Sequence, residues 1–252
     1  VILLKSRAEI DQMRRPGEIV GGAHRRVREI VRPGVTTGEI DRAVEEFIRD
    51  AGGSPAFKGY RGFPAASCVS VNDEVVHGIP GRRTLVEGDI VGVDIGVLCG
   101  GFYGDAAQTL PVGRISPEAE RLLAVTCEAL YAGIAMARVG NRVGDISHAV
   151  QEVVEGAGYS VVRDLVGHGV GRAMHEEPQV PNFGRAGVGP RLQAGMTLAL
   201  EPMVNAGDYA VEVLSDQWTW VTKDGSLSAH FEHSVAVTED GPVILTEGTI
   251  ER

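Results

Sequence analysis

Asp94 and Asp105 lie eleven positions apart, on either side of Gly100-Gly101, within otherwise apolar and aromatic sequence. Residues 90–97 have the composition of one strand and residues 102–107 that of its return. A Gly-Gly tip suits a two-residue hairpin, because both turn positions need positive φ. With Gly100 and Gly101 as the turn, Cys99 faces Phe102, Ala107 faces Asp94 and Gly96 faces Asp105. Side chains alternate along a strand, so the two aspartates share a face as diagonal neighbours, with Cα atoms roughly 7–8 Å apart. Two carboxylates on an apolar face repel each other and are costly to desolvate unless a cation lies between them. The chemistry predicted is the binding of one divalent metal ion, or two.

Three further stretches add donors of the same kind. Residues 166–171 set His168 between glycines, where backbone can pack close to it. Thr197-Leu198-Ala199-Leu200 reads as a buried strand that ends in Glu201-Pro202, and residues 227–237 read as one strand carrying Glu232. Alone, a strand-end glutamate or a Gly-flanked histidine has an ordinary structural reading. With the aspartate pair they make five donors, four of them carboxylates. Such a hard, oxygen-rich set suits a pair of Mn, Fe, Co, Zn or Mg ions about 3.5–4 Å apart.

The elements that must position these donors recur along the chain. Residues 31–53 laid on residues 137–159 give nine identities in 23 positions without a gap, among them Gly34/Gly140, Gly38/Gly144 and Gly52/Gly158. Each copy reads as the end of one helix, a short turn and an amphipathic helix stopped by Gly52 or Gly158. The upstream helices carry start signals: Ser6-x-x-Glu9 is a capping box, and Ser116-Pro117 is an N-cap followed by proline. Residues 85–94 resemble residues 192–201, which lines Asp94 up with Glu201. The expectation is an α/β chain of two pseudo-twofold-related halves, about 6–110 and 116–240, within one catalytic domain spanning 1–252.

Composition narrows the class. The 252 residues are 43% hydrophobic and carry a net charge of −10, which argues against a DNA-binding or anionic-membrane surface. Apolar runs fall short of a membrane span, and no signal-peptide layout opens the chain. Cys68, Cys99 and Cys127 are odd in number and share no tight spacing, so they fit a reducing, cytoplasmic setting rather than a disulfide framework.

Asp94, Asp105, His168, Glu201 and Glu232, in that order and spacing, resemble the metal ligands of methionine aminopeptidases. The flanking motifs agree: Gly62-Phe63-Pro64, the run from Val71 to Pro80, Gly167-His168-Gly169-Val170-Gly171, and His175-Glu176-x-Pro178-x-Val180-Pro181-Asn182. The resemblance covers residues 3–248. Glu201 and Glu232 lie 31 positions apart, which leaves no room for the helical insertion of type 2 enzymes and points to type 1 in its short bacterial form.

The resemblance implies the pita-bread α/β fold, with halves about a pseudo-twofold axis around a curved antiparallel sheet. It implies removal of N-terminal methionine from nascent polypeptides whose second residue is small, by a monomer. Asp94 would hold one ion and His168 with Glu201 the other, with Asp105 and Glu232 bridging. A water or hydroxide between the ions would be the nucleophile. Glu201 would shuttle its proton, His175 would polarise the scissile carbonyl, and His77 would hydrogen-bond near the scissile amide. Phe57, Tyr60, Phe63, Cys68, Met174 and Trp218 match the methionine pocket, with Trp218 and Trp220 sent to opposite faces by strand alternation. Phe57 and Met174 depart from a common pattern of Cys and Phe. Asn72 and Ser228 match positions that hold a monovalent cation through backbone oxygens.

His24 and His148 are expected to be solvated on helices, and His233 to point away from the centre. The run Arg25-Arg26-Val27-Arg28 is expected to be a solvated helix face, with ribosome contact as the sharper reading. Cys68 is the cysteine expected to be open to alkylation. Two rivals keep the fold: an X-Pro aminopeptidase or prolidase, which usually carries a large N-terminal domain, and a non-catalytic binding module, whose relatives have lost ligands present here.

Overall fold

Reciprocal caps set the helices. In the computed structural model, which describes residues 1–251, α1 (Arg7–Ile30) starts at Ser6. The Ser6 hydroxyl accepts from the Glu9 N–H at 3.3 Å, and the Glu9 carboxylate accepts from the Ser6 N–H at 2.8 Å. Thr36 and Glu39 repeat that exchange at α2 (Thr37–Asp50), a cap the sequence reading passed over. Five strands follow: β1 (Ser54–Pro55), β2 (Cys68–Val71), β3 (Glu74–Val76), β4 (Ile90–Cys99) and β5 (Phe102–Pro111).

The second half opens with α3 (Pro117–Met136), capped by Ser116, and α4 (Val143–Gly156). Then come β6 (Ser160–Val161), β7 (Gly167–Gly169), β8 (Glu176–Val180), β9 (Thr197–Leu200) and β10 (Met203–Asn205). The last strands are β11 (Val211–Val213), β12 (Trp220–Thr222), β13 (Ser228–His230), β14 (His233–Thr238) and β15 (Gly241–Ile244). The bounds of α4 and β6 fall 106 positions after those of α2 and β1. Isolated bridges repeat it with one residue of slippage, Thr36 to Thr84 and Arg142 to Arg191, at offsets of 106 and 107. Gly52 (φ 82°) and Gly158 (φ 85°) both follow their helices in the left-handed region, where glycine carries no steric penalty.

Strand pairings among the described residues are antiparallel. β4 pairs with β1, β2 and β5, and a five-stranded ladder runs β15-β14-β9-β7-β8. Two smaller ladders, β13-β10-β6 and β11-β12-β3, complete the set. The β4–β5 hairpin has the expected register, with Cys99 opposite Phe102, Asp94 opposite Ala107 and Gly96 opposite Asp105. Each half has its own apolar core. Ile40, Val44 and Ile48 of α2 pack with Ile95 and Val97, whereas Val150 and Val154 of α4 join the cluster that holds Leu198 and Val235. Full burial of each such side chain contributes roughly 1.5–3 kcal/mol.

Three expectations are corrected. Residues 227–237 are not one strand: β13 pairs with β10 and β14 with β9, and the chain breaks at Phe231-Glu232. The facing β9–β10 segment breaks at the same level, at Glu201-Pro202, because proline lacks the N–H that a continuous ladder needs. His24 is not solvated but fully buried. Its Nε2–H donates to the Ala106 carbonyl at 2.9 Å, and the Gln108 amide donates to its Nδ1 at 3.1 Å. Arg28 also turns inward, donating to the Gly248 carbonyl at 2.9 Å and to Gln108 Oε1 at 3.3 Å, while Arg25 and Arg26 stay exposed. His148 lies half-exposed on α4, 3.4 Å from Glu152, as expected.

Candidate active site

The two halves meet along β5 and the β13–β14 break, and the donors gather there. Ser234 Oγ accepts the Asp105 N–H at 3.0 Å and donates to the Asp105 carbonyl at 2.7 Å. The Glu232 N–H donates to the Ala107 carbonyl at 2.9 Å. These bonds fix Asp105 and Glu232 by their backbones and leave their carboxylates free for the space between the halves. Glu201 enters from the matching break after β9, and Asn182 donates to its carbonyl at 3.0 Å. His168 is held between glycines for a steric reason. A Cβ at Gly167 would lie 2.5 Å from the Ala199 oxygen, and one at Gly169 would lie 2.3 Å from the Glu177 oxygen.

Asp105, His168 and Glu232 each place a donor atom within 4.8 Å of the others. His168 Nε2 lies 3.5 Å from Glu201 Oε1 and 3.9 Å from Asp105 Oδ2. Its Nδ1–H donates to the Gly169 carbonyl at 2.8 Å, so a neutral ring turns the Nε2 lone pair to the carboxylates. Asp94, one strand away on β4, lines the same cavity.

The electrostatics are those of a site built for cations. Burial, relieved in part by a hydrogen bond with Asp105, pushes the Asp94 carboxyl up to about 7. Burial followed by the charges of Asp94 and Glu201 drives Asp105 well above the carboxylate range. Glu201 and Glu232 rise in the same way, burial first and neighbouring carboxylates second. Burial holds His168 and His77 down at about 4, with the charge of His175 adding to it. Asp94 Oδ1, Asp105 Oδ1 and Glu232 Oε1 are sealed from water without a hydrogen-bond partner among the described residues. Orphaned carboxylate oxygens of this kind fit divalent ions, which would supply the missing positive charge.

The centre floors a cavity of about 540 Å³ lined by Phe57, Tyr60, Phe63, Cys68, His77, His175 and Trp218, among others. Phe57, Phe63, Cys68 and Met174 form one buried cluster, edged by Tyr60 and Trp218. Trp218 meets Phe63 edge-on at 5.1 Å. Strand alternation does not aim it, since Trp218 precedes β12; Asp216 holds the turn by accepting the Trp218 and Thr219 N–H groups at 2.8 and 2.9 Å. Cys68 sits opposite Asp94 in the β2–β4 ladder. Burial, then the Asp94 charge, raises its thiol well above the usual value, so ready alkylation is not what this environment favours.

Tyr60 OH bonds His175 Nδ1 at 2.9 Å, and the His175 and His168 rings lie 4.3 Å apart. The loop that bears Met174 and His175 is tied down by Glu176, which accepts from the Arg172 and Ala173 N–H groups at 2.7 and 3.0 Å and pairs with buried Lys5. The Asn72 carbonyl accepts the Ser228 N–H at 2.9 Å, so those two positions adjoin. His233 bonds Thr246 Oγ1 at 2.9 Å, on the far side of its strand.

One residue went unread in the sequence. His230 is 4% exposed, and its Nε2 lies 3.9 Å from both Glu201 Oε2 and Glu232 Oε2. Its spacing of two from Glu232 was the available signal, hidden by the neighbouring His233. Lys5 gave no signal at all, because its partner lies 171 positions away.

Residues 11–239 match the metallopeptidase family M24. A methionine aminopeptidase of Clostridium perfringens is 56% identical over 246 residues, 98% of this chain and 99% of its own length. Methionine aminopeptidase 1 of Bacillus subtilis is 51% identical over 246 residues, with the same shares covered. The crystal structure of methionine aminopeptidase from Thermotoga maritima superposes with a TM-score of 0.96 at 49% identity, covering 98% of this chain and 99% of that one. The chain therefore belongs to metallopeptidase family M24, whose pita-bread fold it has, and within it to the methionine aminopeptidases.

Proposed function

We propose that the chain acts as one catalytic unit that removes N-terminal methionine from nascent polypeptides with a small second residue. The observation that carries this reading is the meeting of orphaned buried carboxylates with an apolar, sulfur-lined pocket in one cavity. Asp94 would hold one divalent ion, His168 and Glu201 the other, with Asp105 and Glu232 shared. The ions supply Lewis acidity and bring the pKa of a water into the neutral range.

The chain's own groups do the rest. Phe57, Phe63, Cys68 and Met174 receive an unbranched thioether, with Tyr60 and Trp218 at the edge, since sulfur packs well on aromatic rings. With Tyr60 O–H donating to Nδ1, neutral His175 carries its proton on Nε2 and offers it to the scissile carbonyl. Glu201 would take the proton of the attacking water and pass it to the leaving amine, a role open to a carboxylate that lines the cavity beside His168. His77, half-buried and lining the same cavity, bonds the substrate on the leaving side. A monovalent cation on the Asn72 and Ser228 carbonyls and work as a cytoplasmic monomer belong to the same proposal. No helix among the described residues is long and apolar enough to cross a membrane.

The test is methionine release from Met-Ala-Ser and cleavage of Ala-Pro-Ala by metal-stripped protein, with and without Mn²⁺ or Co²⁺. Metal-dependent release from the first peptide alone supports the reading. Cleavage before proline would move the chain to the X-Pro side of the fold, and no turnover despite bound metal would leave a binding module.

A further inference from the structure

We propose that His230 is a positioning residue of the metal centre, its imidazole N–H orienting the Glu201 carboxylate toward the ions. The proposal rests on the reading of the centre as a metal site. The Glu201 carboxylate presents its two oxygens to different neighbours. Glu201 Oε1 faces His168 Nε2 at 3.5 Å, whereas Glu201 Oε2 faces His230 Nε2 at 3.9 Å. Glu232 Oε1 is sealed without a partner among the described residues, whereas Glu232 Oε2 faces the same His230 nitrogen at 3.9 Å. Glu201 thus turns one oxygen to His168 and the other to His230, while Glu232, the carboxylate read as shared between the ions, flanks the same ring. A carboxylate that binds metal through one oxygen needs its second oxygen oriented by a donor, and such donors tune affinity.

The ring is held for that role. Thr109 Oγ1 accepts the His230 N–H and donates to the His230 carbonyl, both at 2.9 Å. The His230 Cα is paired with Met203 in the β10–β13 ladder. Its Nε2 is buried with no hydrogen-bond partner among the described residues. At 3.9 Å neither carboxylate is bonded, and a shift of about 1 Å in the Glu201 side chain would complete its bond. A backbone fixed on both sides and an unpartnered ring nitrogen beside two carboxylates leave the imidazole little else to do.

The test compares His230→Gln, which keeps an N–H donor of similar reach, with His230→Leu, which fills the space without one. Metal-stripped proteins are titrated with Co²⁺ by calorimetry, and the cobalt absorption bands are recorded. The proposal expects His230→Gln to bind within about threefold of the parent and His230→Leu to bind about 10–100-fold more weakly, with the cobalt bands of both in place. Parent-like binding by both variants would make the residue mere packing and overturn it. Displaced bands and equal weakening in both would make the ring a ligand, which also overturns it. If His230→Leu fails to fold, His230→Ala and His230→Asn provide the same contrast. Failure of the parent itself to bind Co²⁺ would sink the metal-centre reading rather than the role of His230 within it.

Discussion

His168 and His175 are seven positions apart with rings 4.3 Å apart, yet their Nδ1 atoms have different partners. The Gly169 carbonyl takes the Nδ1 proton of His168 and leaves a lone pair at Nε2, which is what a metal needs. When the Tyr60 hydroxyl donates to Nδ1 of His175, an N–H remains at Nε2, which is what a carbonyl oxygen needs. His175→Ala should therefore lower kcat by about 10²–10³-fold while cobalt affinity stays near that of the parent. Steady-state kinetics beside a Co²⁺ titration check the split, and a parallel loss of metal would refute it. His24 makes a residue-scale prediction away from the cavity. Burial depresses it to about 4 from 6.5, with the Ala106 carbonyl opposing and Arg28 adding. A lowered histidine contributes stability that is whole above its unfolded value and is lost as pH falls through the folded one. In metal-loaded protein, stability should thus fall by about 1 kcal/mol between pH 7.5 and about pH 5.5 on account of this ring. His24→Gln should flatten that slope in urea titrations at the two pH values; an unchanged slope would assign the acid loss to other groups.

At the scale of elements, the β4–β5 hairpin gives one strand two duties. Asp94 lines the cavity beside Asp105, and Gly96, two positions on, underlies the apolar cluster of Phe57 and Met174. A Cβ at Gly96 would lie 2.6 Å from Phe57 Cε1 and 2.9 Å from Met174 Cε, so the glycine leaves the room that those two larger side chains occupy. Gly96→Ala should push them into the cavity and lower kcat/KM for methionyl peptides about tenfold or more, with cobalt binding retained. Comparing peptides that begin with Met and with Ala tests this, since a shallower pocket penalises the longer side chain. This hairpin was legible in the sequence because its signals are local: a Gly-Gly tip, alternating side chains and two misplaced acids. The caps and the repeat were legible for the same reason. The single strand read across residues 227–237 failed because an apolar run cannot disclose that its two ends belong to different ladders. His24 failed because charged neighbours on a helix say nothing of which face meets β5. The Lys5–Glu176 pair gave nothing to read because it closes across 171 positions. That pair ties the chain's start to the loop bearing Met174 and His175, while Arg172 of the same loop bonds Glu9 at 2.9 Å. Lys5→Met should leave Glu176 buried without its cation and loosen that loop, raising KM more than it lowers kcat; equal effects on both would contradict a positioning role.

For the whole molecule, burial that is justified by cations is a liability without them. Asp94 rises from 3.8 to about 7 by burial, and Asp105, Glu201 and Glu232 rise further in the same direction. A carboxyl raised on folding contributes stability that is whole below its unfolded value and is lost as pH climbs through the folded one. For Asp94 alone the window runs from about pH 4 to about pH 7, and a shift of that size is worth up to about 4 kcal/mol, a large share of a domain's usual 5–15 kcal/mol. The histidines of the centre act oppositely, because His77 and His168 at about 4 lose stability as pH falls from 6.5. Metal-stripped protein should therefore melt at a lower temperature at about pH 8.5 than at about pH 6, whereas loaded protein should not, since the ions replace the protons. Asp105→Asn sharpens the point by mimicking a protonated carboxyl. It should abolish tight Co²⁺ binding and activity, yet be more stable than the metal-stripped parent at about pH 8.5 by about 1–3 kcal/mol. Calorimetric melts of the two stripped proteins decide it. If the parent is the more stable of the two at that pH, the carboxylates do not oppose folding there, and metal contributes chemistry without holding the halves together.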